Sequence, residues 1–412
     1  MRQDIFHNNP EFLFDGLSYN PLFDESGTIS GVISEITPEF SMILGHAASS
    51  VSERISVSGS DNGVCKLLAN AFIAGAGSGG AHVTELDAGI FSISAFYARS
   101  FLFNLTFFFE SDNGRIRIRV ADKFGLTIDR ATQRRLEDEM KKSEHFRFGD
   151  SDIPMPKSIS GAQESFISVL SKDLIRHPFP VSVEPRNRAS SILKSILKAV
   201  GCRIVPPTKD VLSLSSSDDG TRLFVCDETE RFYDDGHILA LLALIYFGSG
   251  ENALAVPFSA PSVMEQIAAE NDGRILRINR DPGARELFAE QKLLSDAASG
   301  ALFLCHYLSE TGVRACELFD KLPSFTLVSR EVSVNRSRRA VLSYLAEVDD
   351  GMHKEKTDGL RICADGGWIN IAPSHSKSAL RITGEGMSEE IASELCNLFV
   401  EKTRFIDKNI SK

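Results

Sequence analysis

Cysteine is scarce and widely spaced in this chain. The 412 residues include seven cysteines, and no two of them form a CxxC pair. An odd number of scattered cysteines argues against a disulfide framework, and their spacing does not suit a zinc site. We therefore expect buried, reduced thiols.

Long apolar runs are also missing. The longest one, 238–247, is far shorter than the roughly 20 residues that cross a bilayer. Residues 1–12 carry acidic and amide side chains where a signal peptide needs an apolar core. The sequence thus predicts a cytoplasmic protein with no membrane association.

Positive charge is in the minority, with 45 Lys and Arg against 56 Asp and Glu, a net charge of -11. Such a balance repels phosphate backbones, so nucleic acid is not an expected partner. The P-loop, HExxH, GxSxG and dinucleotide-binding glycine motifs are absent from the sequence. The glycine-rich stretch 75–80 follows a predicted helix, which favours a connector over a phosphate cradle.

The sequence does contain a long alternation of strand and helix patterns. A chain of 412 residues exceeds what one hydrophobic core supports, so several domains are expected. The alternation predicts three α/β units, at 1–150, 151–233 and 234–330. From 331 to 412 the order changes to antiparallel strands flanked by helices, which predicts an α+β unit.

Several local features accompany this alternation. Asp129 is predicted to cap a surface helix, and 151–161, rich in Pro, Ser and Gly, predicts a linker. Segment 213–221 predicts a polar loop, and the apolar residues around Cys305 predict a strand. Three arginines alternate with apolar residues and predict the solvated face of an edge strand: Arg115, Arg117 and Arg119.

Several segments resemble those of one enzyme family. Residues 36–40 (ITPEF) look like the start of its first helix, and 118–126 look like the strand after its catalytic loop. The sharpest match lies near the C-terminus, where 358–361 (DGLR), 367–368 (GW) and 372–381 (APSHSKSALR) resemble the elements DG-R, GW and RPSGTEP-LR. The chain therefore resembles the α-D-phosphohexomutase superfamily, which includes phosphoglucomutase, phosphomannomutase and phosphoglucosamine mutase.

The resemblance implies three mixed-sheet α/β domains and a C-terminal α+β domain, in a heart-shaped arrangement around a central cleft. It assigns 1–150 to the nucleophile loop, a shortened 151–233 to the metal loop, 234–330 to the sugar loop and 331–412 to phosphate binding. These isomerases move a phosphoryl group between two hydroxyls of a sugar phosphate through a phosphoserine. They need a nucleophile, a Mg²⁺ ion, a sugar clamp and a phosphate anchor.

The nucleophile loop of the family, TASHNP, corresponds to 108–114 (FFESDNG), which is about two residues shorter. The alignment places Ser111 at the nucleophile. The alternative is that Asp-Asn-Gly forms a polar hairpin turn between two strands.

The metal loop DGDGDR corresponds to 217–222 (SDDGTR), where Asp219 is the one aligned metal carboxylate that is retained. Asp218 is a neighbouring carboxylate that would have to shift to act as a ligand for Mg²⁺. Arg222 aligns with the arginine of the motif and, in an active enzyme, would assist the phosphate.

The sugar loop GEESGH corresponds to 296–301 (DAASGA), in which the hydroxyl-binding carboxylate is replaced by methyl groups. Ser299 is the residue left to contact a sugar. Ala297 and Ala298 are expected to pack in the interior.

The phosphate loop retains the most polar side chains. Its candidates for binding a phosphate dianion are Ser374, His375, Ser376, Lys377 and Arg381. The alternative is a serine-rich hairpin in which Lys377 is solvated and Arg381 pairs with a carboxylate such as Glu385.

The nucleophile, metal and sugar loops all lack side chains of the family motifs. Their combined loss predicts a divergent phosphohexomutase homologue that is catalytically impaired or inactive. Its expected role is regulatory or scaffolding, with phosphate or a sugar phosphate as ligand; the sequence identifies no protein partner. The alternative is an active phosphoglucomutase or phosphomannomutase that works through Ser111 and Mg²⁺. A third interpretation is a purely structural component of a complex.

Overall fold

Four β-sheets organise the computed structural model within the residues that it describes, and each is built from its own stretch of chain. The described residues are 22–24, 27–142, 149, 153–348, 351–356, 359–364, 367–374 and 379–409. The sheets form three α/β units followed by an α+β unit, which confirms the predicted fold class. The boundaries of the four predicted domains stay predictions.

The first unit contains β1 (Thr28–Val32), α1 (Pro38–Val51), β2 (Arg54–Gly59), α2 (Gly63–Ser78), β3 (His82–Leu86), α3 (Phe91–Phe101), β4 (Leu105–Asp112), β5 (Arg115–Asp122), α4 (Arg130–Met140) and β6 (Lys157–Ile159). The sheet order is β1-β5-β4-β2-β3-β6. Asp129 caps α4 by accepting the N–H of Thr132, which confirms the predicted cap. β6 lies inside the segment predicted as a linker and pairs with β3.

The first part of the glycine-rich stretch, 75–78, belongs to α2 and not to a connector, and Gly79 and Gly80 form the turn after the helix. A Cβ atom on Gly75 would lie 1.9 Å from the carbonyl oxygen of Met42, and one on Gly45 would lie 2.2 Å from that of Phe72. Small residues at these points let the backbones of α1 and α2 approach closely. Gly45 and Gly75 are therefore explained by helix packing, which the local sequence does not reveal.

The second unit contains α5 (Ala162–Leu170), β7 (Pro180–Val183), α6 (Arg188–Ala199), β8 (Arg203–Ile204), β9 (Leu212–Ser216) and β10 (Leu223–Cys226), with sheet order β10-β9-β7-β8. The prediction of a polar loop at 213–221 is wrong in its first half, which is part of β9. Leu212 and Leu214 are buried and alternate with half-buried serines, as in a strand with one covered face.

The third unit contains α7 (Asp235–Gly248), β11 (Ala253–Val256), α8 (Val263–Glu270), β12 (Arg274–Arg277), α9 (Ala284–Gln291), α10 (Ala297–Thr311) and α11 (Ala315–Phe319). The strand predicted around Cys305 is wrong, because this residue lies within α10. A short apolar run fits a buried helix as well as a strand. Here the cap that Asp296 provides fixes the start of the helix.

The fourth unit contains β13 (Thr326–Ser333), α12 (Arg338–Glu347), β14 (Lys354–Lys356), β15 (Leu360–Ala364), β16 (Gly367–Pro373), β17 (Ala379–Gly386) and α13 (Glu389–Asn409). Its antiparallel sheet has the order β13-β17-β16-β15-β14. Helices α12 and α13 pack together, and buried Phe399 joins the core of this unit.

One continuous hydrophobic cluster joins the second and third units and extends to α3 of the first. The loops between these units are therefore held by a shared core.

In the described ranges, no helix is both long and apolar enough to cross a bilayer. The predicted cytoplasmic location is not tested by that finding and stays a prediction.

Candidate functional site

The segment aligned with the nucleophile loop is a tight β-hairpin. Asp112 pairs with Arg115, so the connection between β4 and β5 consists of Asn113 and Gly114 alone. Both have positive φ angles, 48° and 78°, as the primed two-residue hairpin turns require. The chain therefore has no extended loop at this position.

Ser111, the expected nucleophile, lies in β4 opposite Ile116. Successive side chains of a strand point to opposite faces of the sheet, so Ser111 and Glu110 face opposite sides. Ile116 belongs to the buried core of the first unit, which places Ser111 on the face covered by that core. The structure does not bring Ser111 to the residues of the metal loop.

Glu110 points instead to the face that meets the second unit. Its carboxylate is mostly buried and lies 2.8 Å from Nε of Arg117 and 3.3 Å from Nε of Arg119. The prediction that these arginines belong to an edge strand is wrong, because β5 lies between β1 and β4. A central strand is paired on both sides, so it does not need charged side chains to prevent edge-to-edge aggregation. The charges of Arg117 and Arg119 instead contact Glu110 of the neighbouring strand.

Arg119 reaches across to the metal loop. Its Nη1 lies 2.6 Å from Oδ2 of Asp219 and forms a hydrogen-bonded ion pair. The other donors to this carboxylate are the hydroxyl of Ser217 and the hydroxyl and N–H of Thr221. Asp219 is thus surrounded by donors from its own loop and from the first unit.

The charge state of Asp219 follows from this environment. Burial alone would raise the pKa of the carboxyl group, because it disfavours the charged form. The charge of Arg119 and the hydrogen bonds from Ser217 and Thr221 outweigh burial and lower the pKa to about 2. Asp219 is therefore a carboxylate at neutral pH, and its charge is already balanced.

The second candidate metal ligand is separate from the first. Asp218 is exposed, and its Oδ1 accepts a hydrogen bond of 2.8 Å from Nδ2 of Asn187. Arg222 also points away from Asp219 and pairs with Asp235 at 3.2 Å. Across the residues that the structure describes, no group of three metal-binding side chains is found. The residues present do not fit the Mg²⁺ ion that the resemblance implies.

The sugar loop is the beginning of α10. Asp296 caps this helix by accepting the N–H groups of Ala298 and Ser299, and its Oδ2 also accepts the Ser299 hydroxyl at 2.6 Å. Burial raises the pKa of Asp296 despite these bonds. Ala297 and Ala298 are buried, as expected. Ser299, the remaining candidate for a sugar contact, is already bonded to the cap.

A cavity of about 310 Å³ adjoins this helix start, between the second, third and fourth units. Arg222 and Asp296 are among its polar lining residues, and most of the others are leucine, isoleucine or proline. An apolar lining offers few partners for sugar hydroxyls, which need hydrogen bonds when they are buried.

The phosphate segment is described in part. The Ser374 hydroxyl bonds to Glu331, and the Ser374 carbonyl accepts a hydrogen bond of 3.0 Å from Arg338. Arg381 is exposed in β17, where its backbone lies opposite Glu331 of β13. His375, Ser376 and Lys377 lie outside the described residues.

Glu385, the expected alternative partner of Arg381, has other contacts. Its carboxylate is buried and accepts hydrogen bonds from Ser262 and from Nε1 of Trp368. The bond from Ser262 ties the third unit to the fourth. Because the Glu385 carboxylate is taken up by Ser262 and Trp368, Glu385 as the partner of Arg381 is wrong.

Comparison with known proteins connects this geometry to a family. No protein-family model matches the chain. A phosphoglucomutase/phosphomannomutase from Thermococcus kodakarensis is 24% identical over 458 aligned positions, which cover 92% of this chain and 98% of that protein. A phosphoglucosamine mutase from Methanocaldococcus jannaschii is 19% identical, with coverage of 90% and 96%. The homologues of this chain are α-D-phosphohexomutases.

Solved structures agree with this relationship at the level of the fold. A phosphoglucomutase/phosphomannomutase family protein from Burkholderia thailandensis has a TM-score of 0.70 at 14% identity, covering 95% of this chain and 99% of its own. An N-acetylphosphoglucosamine mutase of Aspergillus fumigatus, in complex with GlcNAc-6P and magnesium, has a TM-score of 0.53 at 11% identity and covers 96% and 98%.

The sequence alone did not identify Glu110 and Arg119 as members of the site. The alternation of arginine with apolar residues correctly predicts the strand β5 that contains Arg119. Glu110 lies within the segment aligned with the nucleophile loop. The contact between Arg119 and Asp219 joins residues 100 positions apart, which no local pattern indicates.

Proposed function

We propose that the protein is a phosphohexomutase homologue that no longer transfers phosphoryl groups and instead binds phosphate or a sugar phosphate, in a regulatory or scaffolding role in the cytoplasm. The observation that carries this proposal is the position of Ser111 within β4, next to a turn of two residues. A nucleophile on a strand facing the core cannot meet a substrate in the cleft.

Phosphoryl transfer depends mainly on positioning and on electrostatic stabilisation. A nucleophilic hydroxyl must come within about 3–3.5 Å of the reacting phosphorus in an in-line arrangement. In this chain the hydroxyl of Ser111 is held opposite Ile116, and Glu110 takes the face that meets Asp219.

The sugar loop supports the same proposal. Sites that hydrogen-bond substrate hydroxyls discriminate strongly, because their buried polar groups must be paired. Here Ala297 and Ala298 are apolar, and Ser299 bonds to Asp296. A hexose in this cleft would leave several hydroxyls without partners.

Anion binding is the part of the ancestral chemistry that the chain retains best. Arg338 contacts the carbonyl of Ser374, and Arg381 is exposed on the neighbouring strand. Arginine side chains bind phosphate through charge-assisted hydrogen bonds. The proposed ligand is therefore a phosphate group, free or attached to a sugar.

Phosphorus NMR tests the loss of catalysis. The protein is incubated with glucose 1-phosphate or mannose 1-phosphate, Mg²⁺ and a catalytic amount of the bisphosphate, in parallel with Ser111→Ala. The proposal expects no 6-phosphate over hours with either protein. A 6-phosphate signal that disappears in Ser111→Ala would instead establish the active mutase that works through Ser111.

Thermal unfolding tests the binding role. Inorganic phosphate or glucose 6-phosphate should raise the melting temperature of the wild type, because a ligand of the folded state stabilises it. Arg381→Ala should abolish most of this rise. Arg330→Ala is the matched control, since Arg330 precedes the cross-strand partner of Arg381 and faces the other side of the sheet. No shift with either compound would favour a purely structural role.

A further inference from the structure

We infer that the guanidinium of Arg119 has replaced a divalent cation as the positive charge at the junction of the first and second units. Its Nη1 lies 2.6 Å from Asp219, the retained carboxylate of the metal loop, and its Nε lies 3.3 Å from Glu110. One side chain thus bridges a carboxylate from each unit.

A positive charge is required here. Glu110 and Asp219 each have a side-chain exposure of only 12%. Two carboxylates that are buried close together repel each other, and desolvation makes each charge costly unless a cation compensates it. In the described residues near Asp219, Arg119 is the cation that contacts both carboxylates.

The site is built for a planar guanidinium and not for a hydrated metal ion. The Cζ atom of Arg119 lies 5.0 Å from the centre of the Phe91 ring, and that ring packs edge-to-face against Phe108. Arginine stacks on aromatic faces and donates from several nitrogens in a fixed plane. Mg²⁺ needs oxygen ligands in near-octahedral geometry and retains several waters, for which Phe91 offers no partner.

The remaining donors complete this arrangement. In the alignment of the metal loop DGDGDR with SDDGTR, Ser217 and Thr221 stand at the two other ligand positions, and their hydroxyls donate to Asp219. Positions that hold metal ligands in the family motif thus hold hydrogen-bond donors here. Donors suit the Asp219 carboxylate, because Arg119 already balances its charge and no second cation is needed. The replacement concerns the junction between units and goes beyond the proposed loss of catalysis.

Thermal unfolding with and without divalent cations tests the replacement. The proteins are wild type, Arg119→Ala and Arg117→Ala, each with EDTA, Mg²⁺ or Mn²⁺. Arg117 is the matched control, because it lies on the same strand and pairs with Glu110 but makes no contact with Asp219.

The melting temperature of the wild type should be the same in all three solutions. Arg119→Ala should melt several degrees lower in EDTA, and millimolar Mn²⁺ or Mg²⁺ should recover part of that loss. Arg117→Ala should change little and should not respond to either cation.

Three outcomes would overturn the inference. They are a rise in the melting temperature of the wild type with Mn²⁺ or Mg²⁺, an Arg119→Ala protein no less stable than Arg117→Ala, and a destabilised Arg119→Ala protein that neither cation recovers. Arg119→Lys keeps a positive charge and covers the case in which Arg119→Ala does not fold. It should be insensitive to both cations, and a metal response from this variant would equally contradict the replacement.

Discussion

The guanidinium of Arg361 lies 4.1 Å from the centre of the Trp368 ring and donates a hydrogen bond of 2.9 Å to the carbonyl of Phe258. The same carbonyl accepts a bond of 2.9 Å from Arg277, which is fully buried. Burial, followed by the charge of Arg277, lowers the pKa of Arg361 to about 10. Two arginines thus converge on one loop of the third unit, and one of them comes from the fourth.

The first prediction concerns this junction. Arg361→Met should destabilise the protein by about 3 kcal/mol, because it removes a charge-assisted hydrogen bond and a desolvated cation–π contact. Trp368 is the single tryptophan of the chain and is buried, so its fluorescence during urea unfolding reports on this region. Arg361→Lys should recover part of the loss. Equal midpoints for wild type and Arg361→Met would contradict the prediction.

Glu385 gives a second prediction at the same junction. Its carboxylate accepts hydrogen bonds from Nε1 of Trp368 at 2.7 Å and from the N–H of Ser262 at 2.9 Å. Glu385→Ala should cost about 2–3 kcal/mol, because buried donors lose an ionised acceptor. Glu389→Ala, at the exposed start of α13, is the control and should stay within about 0.5 kcal/mol of wild type. A similar effect of both substitutions would mean that the Glu385 bonds contribute nothing specific.

The third prediction compares two glycines of one helix. Gly75→Ala should cost about 2 kcal/mol, because its methyl group would overlap the backbone of Met42 and force α1 and α2 apart. Gly77→Ala is the matched control, since a Cβ atom there meets nothing within 4 Å. It should stabilise the protein by about 0.5–1 kcal/mol through better helix propensity. Chemical denaturation of the two variants should therefore give shifts of opposite sign.

The fourth prediction concerns pH and Asp227. Burial raises the pKa of this carboxyl group, but hydrogen bonds from Thr229, Tyr233 and Arg231 outweigh it and lower the pKa to about 2. A carboxyl group with a lowered pKa in the folded state stabilises the protein above its unfolded pKa, near 3.9, and loses this contribution as pH falls through the folded pKa. Between about pH 5 and pH 2 the protein should lose on the order of 2 kcal/mol from this group.

Urea midpoints measured across this pH range check the contribution of Asp227. Asp227→Asn should be less stable than wild type at pH 7 and should approach it towards pH 2. Asp320→Asn is the control, because Asp320 pairs with the same Arg231 but is largely exposed. A constant difference between Asp227→Asn and wild type at all pH values would rule out the linkage.

The sequence predicted most of the elements that have a clear period or cap, such as α4 behind Asp129 and the strand containing Arg119. It predicted less where the local pattern fits two structures. β9 alternates leucine with serine, and serine is common in loops, whereas the apolar residues around Cys305 suit a helix or a buried strand. β13 was missed because three charged or polar residues, from Ser329 to Glu331, interrupt its apolar pattern.

The candidate site shows the same limit. Comparison of loop motifs was enough to identify a shortened nucleophile loop and a depleted metal loop. It did not show that Ser111 faces the core, since that depends on the register between β4 and β5. Nor did it show Arg119 beside Asp219, because this pair forms only when two units of the chain meet.

The turn at Asn113 and Gly114 also bears on the history of the chain. Changing one amino acid can restore a serine, an aspartate or a glutamate to the cleft. It cannot lengthen a connection of two residues whose strands are paired up to Asp112 and Arg115. Under the proposed loss of phosphoryl transfer, a return to that reaction would require inserted residues together with a new register, so the short hairpin would make the loss difficult to reverse.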